Sequence, residues 1–326
     1  MTESGGPGRA NGRGKLQLGI MMRSGDHLVP GAGRVVPWTE LKEIAIAADE
    51  AGVDTLFAPD HLIFRKYGNF DTIPEGEHRG CWEAWTLLSA IAGITKNVTL
   101  GPFVACTSFR EPAVLAKMAG TLDEVSGGRL ILGLGAGYHE PEYTAFGLPF
   151  DHLAGRFEEA LQIIVPLLKG ERVTFHGQYY HVTDSLLHPP GPRPGGPPIW
   201  IGARQPRMLR LTAKYADAYN TMPHTGPESV APQLQALDDA CEQEGRDPAT
   251  LSKTVGAFVC FPGSEDDPGG IHPRAIRGTP EEIADRFHAL YEAGVDHINL
   301  FASPWNVGVV KQLGVTMARL QELGSR

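Results

Sequence analysis

Eight short apolar runs alternate with stretches of helical period along this chain, and that alternation limits the possible folds more than any single motif. The runs are Leu16–Met22, Val53–Pro59, Asn97–Cys106, Arg129–Gly137, Pro197–Ala203, Asp217–Asn220, Ser252–Pro262 and Asp296–Ala302. An amphipathic stretch follows each, and several carry helix signals at their ends. Pro112 falls in a first turn, Thr279-Pro280-Glu281-Glu282 reads as a capped start, and Gly52 and Gly294 read as stops. Strands separated by helices pair in parallel. A doubly wound open sheet would need about six such units, whereas eight in 326 residues predict a (β/α)8 TIM barrel. The Gly-rich, polar residues 1–14 predict a disordered tail ahead of one barrel domain, 15–326. One stretch breaks the alternation. Glu171–Gly196, between helix four and strand five, predicts a β-hairpin turning at His176-Gly177, then a proline-fixed loop over the active-site face.

In a barrel the chemistry sits at the C-terminal ends of the strands. Those ends hold Met21-Met22, Asp60-His61, Cys106-Thr107-Ser108, Gly135 to Glu140, Gly202-Ala203-Arg204, Asn220-Thr221-Met222, Phe261-Pro262 and Ala302 to Trp305. None of the lysines falls there, which argues against Schiff-base chemistry. There is no GxSxG or HExxH, and the twelve histidines show no metal-ligand spacing, so no metal is expected. The remaining rim is apolar and aromatic with a few donors. It suits a large flat cofactor that brings its own electron chemistry. The net charge of −9, without basic runs, excludes nucleic acid as a natural partner. No apolar run approaches the roughly 18 residues of a membrane span, and four scattered cysteines point to a reducing cytoplasm.

The stretch Gly133-Leu134-Gly135-Ala136-Gly137 raises a second possibility, a dinucleotide loop. Its spacing is G-x-G-x-G rather than G-x-G-x-x-G, it ends the fourth strand, and Pro141 is expected to delay any following helix. It therefore does not read as a dinucleotide loop.

Three blocks carry a resemblance: EAWTLLSAIAGITKNVTLGPFV, FREPAVLAKMAGTLDEVSGGRLILGLGAGYHEPEYTAFGLPF and PPIWIGARQPRMLRLTAKYADAYN. From about Leu16 to Leu320 the chain resembles the bacterial-luciferase-like flavin monooxygenase superfamily, and within it the branch of coenzyme F420-dependent oxidoreductases. The resemblance implies a bulged third strand over Phe103, Val104 and Ala105, with a cis bond at Phe103–Val104. Backbone of Val104 to Cys106 would then face the ring. Gly135, Ala136, Gly137 and Tyr138 would lie along the ribityl chain. Gly202 and Ala203 would receive the phosphate on backbone N–H groups, with Arg204 adding charge. Asp60 and His61 match a pair that the branch places near the reactive ring carbon, with His61 as acid or base and Asp60 orienting the site. Tyr138 and Arg65 stand where the sugar-phosphate dehydrogenases of this branch have glutamate and tryptophan, which argues against a sugar phosphate. The implied activity is hydride transfer between F420 and a small organic molecule. An FMN-dependent monooxygenase and a non-catalytic flavin-binding protein are the alternatives, and pairing as a homodimer through helices two and three is a further expectation.

Overall fold

The computed structural model describes residues 14–26, 35–67, 73–264 and 272–326. The expected tail lies outside them except for its last residue. Every predicted run forms a strand, and each sits in one parallel ring. The barrel strands are β1 (Gln17–Met21), β2 (Thr55–Ala58), β3 in two segments (Thr99–Pro102 and Ala105–Cys106), β4 (Leu132–Gly135), β5 (Ile199–Gly202), β6 (Ala218–Thr221), β7 (Ser252–Cys260) and β8 (His297–Ser303). The pairing runs β3–β2–β1–β8–β7–β6–β5–β4 and returns to β3.

The return closes the ring by an interrupted strand. The first half of β3 pairs with β2, Thr55 opposite Thr99 and Ala58 opposite Pro102. The second half pairs with β4, Ala105 opposite Leu134 and Cys106 opposite Gly135. Between them Phe103 and Val104 leave the ladder, and the peptide joining them is cis. Closure here needs very close backbones. A Cβ on Gly101 would stand 2.1 Å from the Ile131 carbonyl oxygen, and one on Gly133 would stand 2.3 Å from that of Pro102.

The helices are α1 (Trp38–Glu50), α2 (Ala84–Ile94), α3 (Pro112–Val125), α4 (Glu140–Phe146), α5 (Leu153–Leu168), α6 (Pro206–Tyr215), α7 (Pro227–Gln243), α8 (Pro280–Glu292) and α9 (Val307–Glu322). The capped start at Thr279 is a reciprocal box: the Glu282 amide donates to the Thr279 hydroxyl and the Thr279 amide donates to the Glu282 carboxylate. α4 corrects an expectation. Pro141 does not delay the helix after the glycines; it occupies the first turn of α4, where its missing N–H costs nothing. The spacing and the barrel position still separate the glycines from a dinucleotide loop.

Two apolar clusters result. A large aliphatic one fills the layer between strands and helices, and a small one (Met21, Phe57, Phe103, Ile131, Trp200, Ala218) fills the barrel's interior. The interior also holds polar groups. Thr254 Oγ1 donates to Asn220 Oδ1 at 2.8 Å, and Asn299 Nδ2 to the same oxygen at 3.2 Å. His297, only 2% exposed, packs edge-on to Trp200, and neither ring nitrogen has a hydrogen-bond partner among the described residues. Burial holds its pKa down at about 4, so it is neutral.

The 171–196 segment forms the expected hairpin, Val173–His176 against His181–Ser185. It lies against α5, where the Glu159 carboxylate accepts from the Gln178, Tyr179 and Tyr180 amides at 2.7–3.1 Å. Farther along, Lys117 of α3 donates to the His188 carbonyl and Arg193 pairs with Asp123. The segment thus runs along α3 and α5. No described helix is long and apolar enough to cross a membrane.

Candidate active site at the barrel mouth

A cavity of about 490 Å³ opens at the C-terminal ends of the strands. Two residues past the end of β2, Asp60 is 3% exposed and gripped by Arg110, Nη1 to Oδ2 at 2.7 Å and Nη2 to Oδ1 at 3.0 Å. The Cys106 amide donates to Oδ2 at 3.0 Å. Burial pushes the Asp60 carboxyl up, while the guanidinium and the amide work against that push. Arg110 also donates to Glu83 at 2.8 Å, and the two carboxylates hold its proton more tightly than usual despite its own desolvation. Asp60 therefore binds the end of β2 to the second half of β3. Arg110 thus bridges Asp60 and Glu83, the N-cap residue of α2.

The next residue is held differently. His61 Nδ1 lies 3.0 Å from Glu142 Oε1, and the Leu62 amide donates to Oε2 at 2.8 Å. Glu142, in the first turn of α4, is 1% exposed. A carboxylate oxygen accepts, so in this pairing Nδ1 is the donor and Nε2 is the ring nitrogen left on the cavity side. The Tyr138 hydroxyl stands 3.4 Å from Nε2. Tyr138 is 56% exposed as a residue, but desolvation around its hydroxyl and the charge of Glu142 keep the phenol protonated above its usual range. The His61 ring also rests on Phe64, centroids 4.4 Å apart.

Strands β3, β4 and β5 present mostly backbone to the cavity. The bulged Val104 explains the neighbouring glycine, since a Cβ on Gly135 would meet its Cγ2 at 2.6 Å. Gly137, at φ +83°, would place a Cβ against the Tyr143 hydroxyl and the Cys106 sulfur. Gly202 differs: a Cβ there would find only the Val104 methyls, at 3.8 and 3.9 Å. The glycine wall is therefore partly a packing requirement of the β3 bulge, and only at Gly202 does protein packing leave room for a side chain. The Cys106 thiol bonds to the Tyr143 hydroxyl at 2.9 Å, and burial pushes its pKa up to about 12, so it is no nucleophile at neutral pH.

Of the residues expected at the site, Asp60, His61, Phe103, Val104, Cys106, Gly135, Gly137, Tyr138, Gly202, Ala203 and Arg204 line the cavity. Ala105 and Ala136 do not; Ala105 is fully buried in the ladder and Ala136 packs on the outer core. The Ala203 amide already donates to the Asn220 carbonyl at 3.2 Å, and α6 begins only at Pro206. Sequence reasoning passed over Glu142, because a glutamate in an unrecognised helix gives no sign of facing a histidine 81 positions away. It also passed over Phe258 and Phe301, which lie within strands yet reach the cavity wall. Among the lining residues none comes from 171–196, whereas Phe64 comes from the loop after β2.

The family model for luciferase-like monooxygenases matches residues 16–267. The phthiodiolone/phenolphthiodiolone dimycocerosates ketoreductase of Mycobacterium tuberculosis is 31% identical over 248 residues, 72% of this chain and 64% of that protein. The F420-dependent glucose-6-phosphate dehydrogenase of Nakamurella multipartita is 34% identical over 229 residues, 68% of this chain and 64% of that protein. The chain thus spans a little under two thirds of the length of these curated relatives. An F420-dependent secondary alcohol dehydrogenase superposes with a TM-score of 0.75 over 96% of this chain and 99% of its own, at 18% identity, a likeness of fold. The matched model covers most of the barrel, and both curated relatives exceed 30% identity over more than two thirds of the chain: this protein belongs to the luciferase-like monooxygenase family.

Proposed function

We propose that the chain is an oxidoreductase that transfers a hydride between coenzyme F420 and a small organic molecule held at the barrel mouth. One observation carries this reading: an imidazole oriented by a buried carboxylate faces a cavity that β4 and β5 line with glycines. Such a wall fits a flat ring, and the room left at Gly202 fits a ligand lying against it. The F420 dependence named for the glucose-6-phosphate dehydrogenase relative supports the choice of cofactor. When bound, a deazaflavin supplies a hydride-carrying ring carbon.

The protein's own residues do the rest. Glu142 fixes the His61 tautomer, so that Nε2 gives or takes the proton that accompanies the hydride. Asp60, committed to Arg110 and to the Cys106 amide, holds the β2 and β3 ends in register and acts through position. With the Ala203 amide already bonded, a cofactor phosphate would rest on Arg204 and the N-terminus of α6. Pairing of two copies through α2 and α3 belongs to the same reading, and light scattering in solution tests it.

Titrating the protein with F420 and with FMN tests the cofactor. F420 is expected to bind more tightly. FMN binding at least about ten-fold tighter, a difference of roughly 1.4 kcal/mol, would replace this reading by an FMN-dependent monooxygenase.

A further inference from the structure

We infer that His139 is a positioning residue of the site: by accepting the Arg65 amide on Nε2 it pins the 61–67 segment, which carries His61 and Phe64 to the cavity. The pinning is independent of the cofactor, and only its effect on turnover rests on the function proposed above.

Two amides of this segment are taken by side chains at the start of α4. The Leu62 amide donates to Glu142 Oε2 at 2.8 Å, and the Arg65 amide donates to His139 Nε2 at 3.2 Å. His139 is the N-cap residue of α4 and Glu142 lies in its first turn, so the two acceptors repeat the three-residue spacing of the two amides. Between those amides, Ile63 and Phe64 pair with Gly80 and Arg79. Phe64 is buried there, lines the cavity, and supplies the ring on which His61 rests. Farther along, the Tyr67 hydroxyl donates to Glu140 at 3.3 Å.

The His139 ring is confined. It is 0% exposed, packs on Phe64 with centroids 5.2 Å apart, and meets Tyr67 edge-on at 5.6 Å. It is not among the residues that line the cavity, so it acts through the segment it holds. A ring nitrogen that accepts from an amide carries no proton, so the pinning form is the neutral ring protonated on Nδ1. The imidazolium would set its Nε2–H against the Arg65 N–H and release the segment. Releasing Arg65 loosens Phe64, and with it the face on which His61 rests.

The titratable and charged groups around the ring are Glu140 and Glu142 of α4, Tyr138 before it, and His61, Arg65 and Tyr67 of the segment. Desolvation holds the His139 pKa below its usual 6.5; Glu142 works against that shift and His61 adds to it. The pin is therefore intact at neutral pH and is lost progressively as the pH falls below 6.5.

The test is hydrogen–deuterium exchange of peptides covering 61–67, on the full chain, at neutral and acidic pH and corrected for the intrinsic exchange rate. His139→Leu removes the acceptor, whereas His139→Gln brings an amide oxygen that accepts at any pH. At neutral pH the segment should exchange about ten-fold faster in His139→Leu, the size of one lost hydrogen bond, and within about two-fold of the parent in His139→Gln. Below pH 6.5 the parent should lose protection and His139→Gln should keep it. His61 is present in all three chains, so its own titration does not separate them. Parental exchange in His139→Leu, or parallel loss in the parent and His139→Gln, would overturn the pinning. If thermal unfolding shows that His139→Leu does not fold, the comparison of the parent with His139→Gln decides alone. In turnover with F420, His139→Leu should lower kcat with cofactor affinity unchanged, and His139→Gln should restore it. An unchanged kcat in a chain whose segment is loosened would overturn the positioning of His61. No turnover with F420 in the parent, with the exchange pattern as expected, would instead overturn the proposed function and leave the pinning standing.

Discussion

Across the mouth from Gly135 and Gly202, where β4 and β5 end in bare backbone, β7 and β8 end in the rings of Phe258 and Phe301. The backbone side is rigid because its shape is fixed by close approach. The Pro102 carbonyl, the Val104 methyls and the Tyr143 hydroxyl leave no space for side chains at Gly133, Gly135 and Gly137. The side-chain side is fixed only by which residues point inward, and can change without disturbing the ring. Between the two stands His61, held by α4 rather than by either wall. The difference teaches that a barrel can keep one binding surface constant by backbone geometry while another is free to vary by side chain.

The largest expected effect tests the group between the walls. His61→Ala should lower kcat by about 10²–10⁴-fold while F420 affinity stays within a few-fold, checked by steady-state kinetics beside cofactor titration. An unchanged kcat would remove His61 from proton transfer.

Breaking the backbone wall comes next. Gly133→Ala places a Cβ 2.3 Å from a backbone oxygen that cannot swing aside. It should cost about 3 kcal/mol or more, read from urea unfolding. A loss below about 1 kcal/mol would mean that the wall relaxes and that its rigidity is overstated.

The interior beneath both walls gives a pH prediction. The His297 pKa is about 4 against an ordinary 6.5. A depressed pKa leaves its contribution intact above pH 6.5 and removes it progressively as the pH falls toward 4, because the unfolded chain takes up the proton first. The loss from this residue should be roughly 3 kcal/mol. Comparing His297→Leu with the parent by unfolding midpoints at both ends of that window isolates it. Parallel curves would show that His297 is not the residue titrating.

The smallest effect sharpens the contrast within the glycine wall. Gly202→Ala has room and should change stability by less than about 0.5 kcal/mol, yet weaken F420 binding several-fold, since the new methyl occupies the ligand's side. Equal affinity in parent and variant would move the cofactor away from β5.

Much of this was legible beforehand. The eight strands fall where the apolar runs predict them, because a strand covered on both faces must be apolar throughout and helical periods mark the segments between. Pro141 was misread because proline both ends helices and starts them, and one sequence does not say which. Nothing in the neighbourhood of Arg110 names its carboxylate partner, 50 positions away at Asp60.

The sequence by itself determined the ring, which follows from local period acting over a few residues; the place of the bulge came from the resemblance of the chain to a known family. Only the tertiary structure decided that Glu142 holds His61, that Asp60 belongs to Arg110, that the glycines yield to the bulge, and that Phe258 and Phe301 face the cavity. Those are meetings of side chains far apart in the chain, set by strand register and helix placement, and no local pattern encodes them.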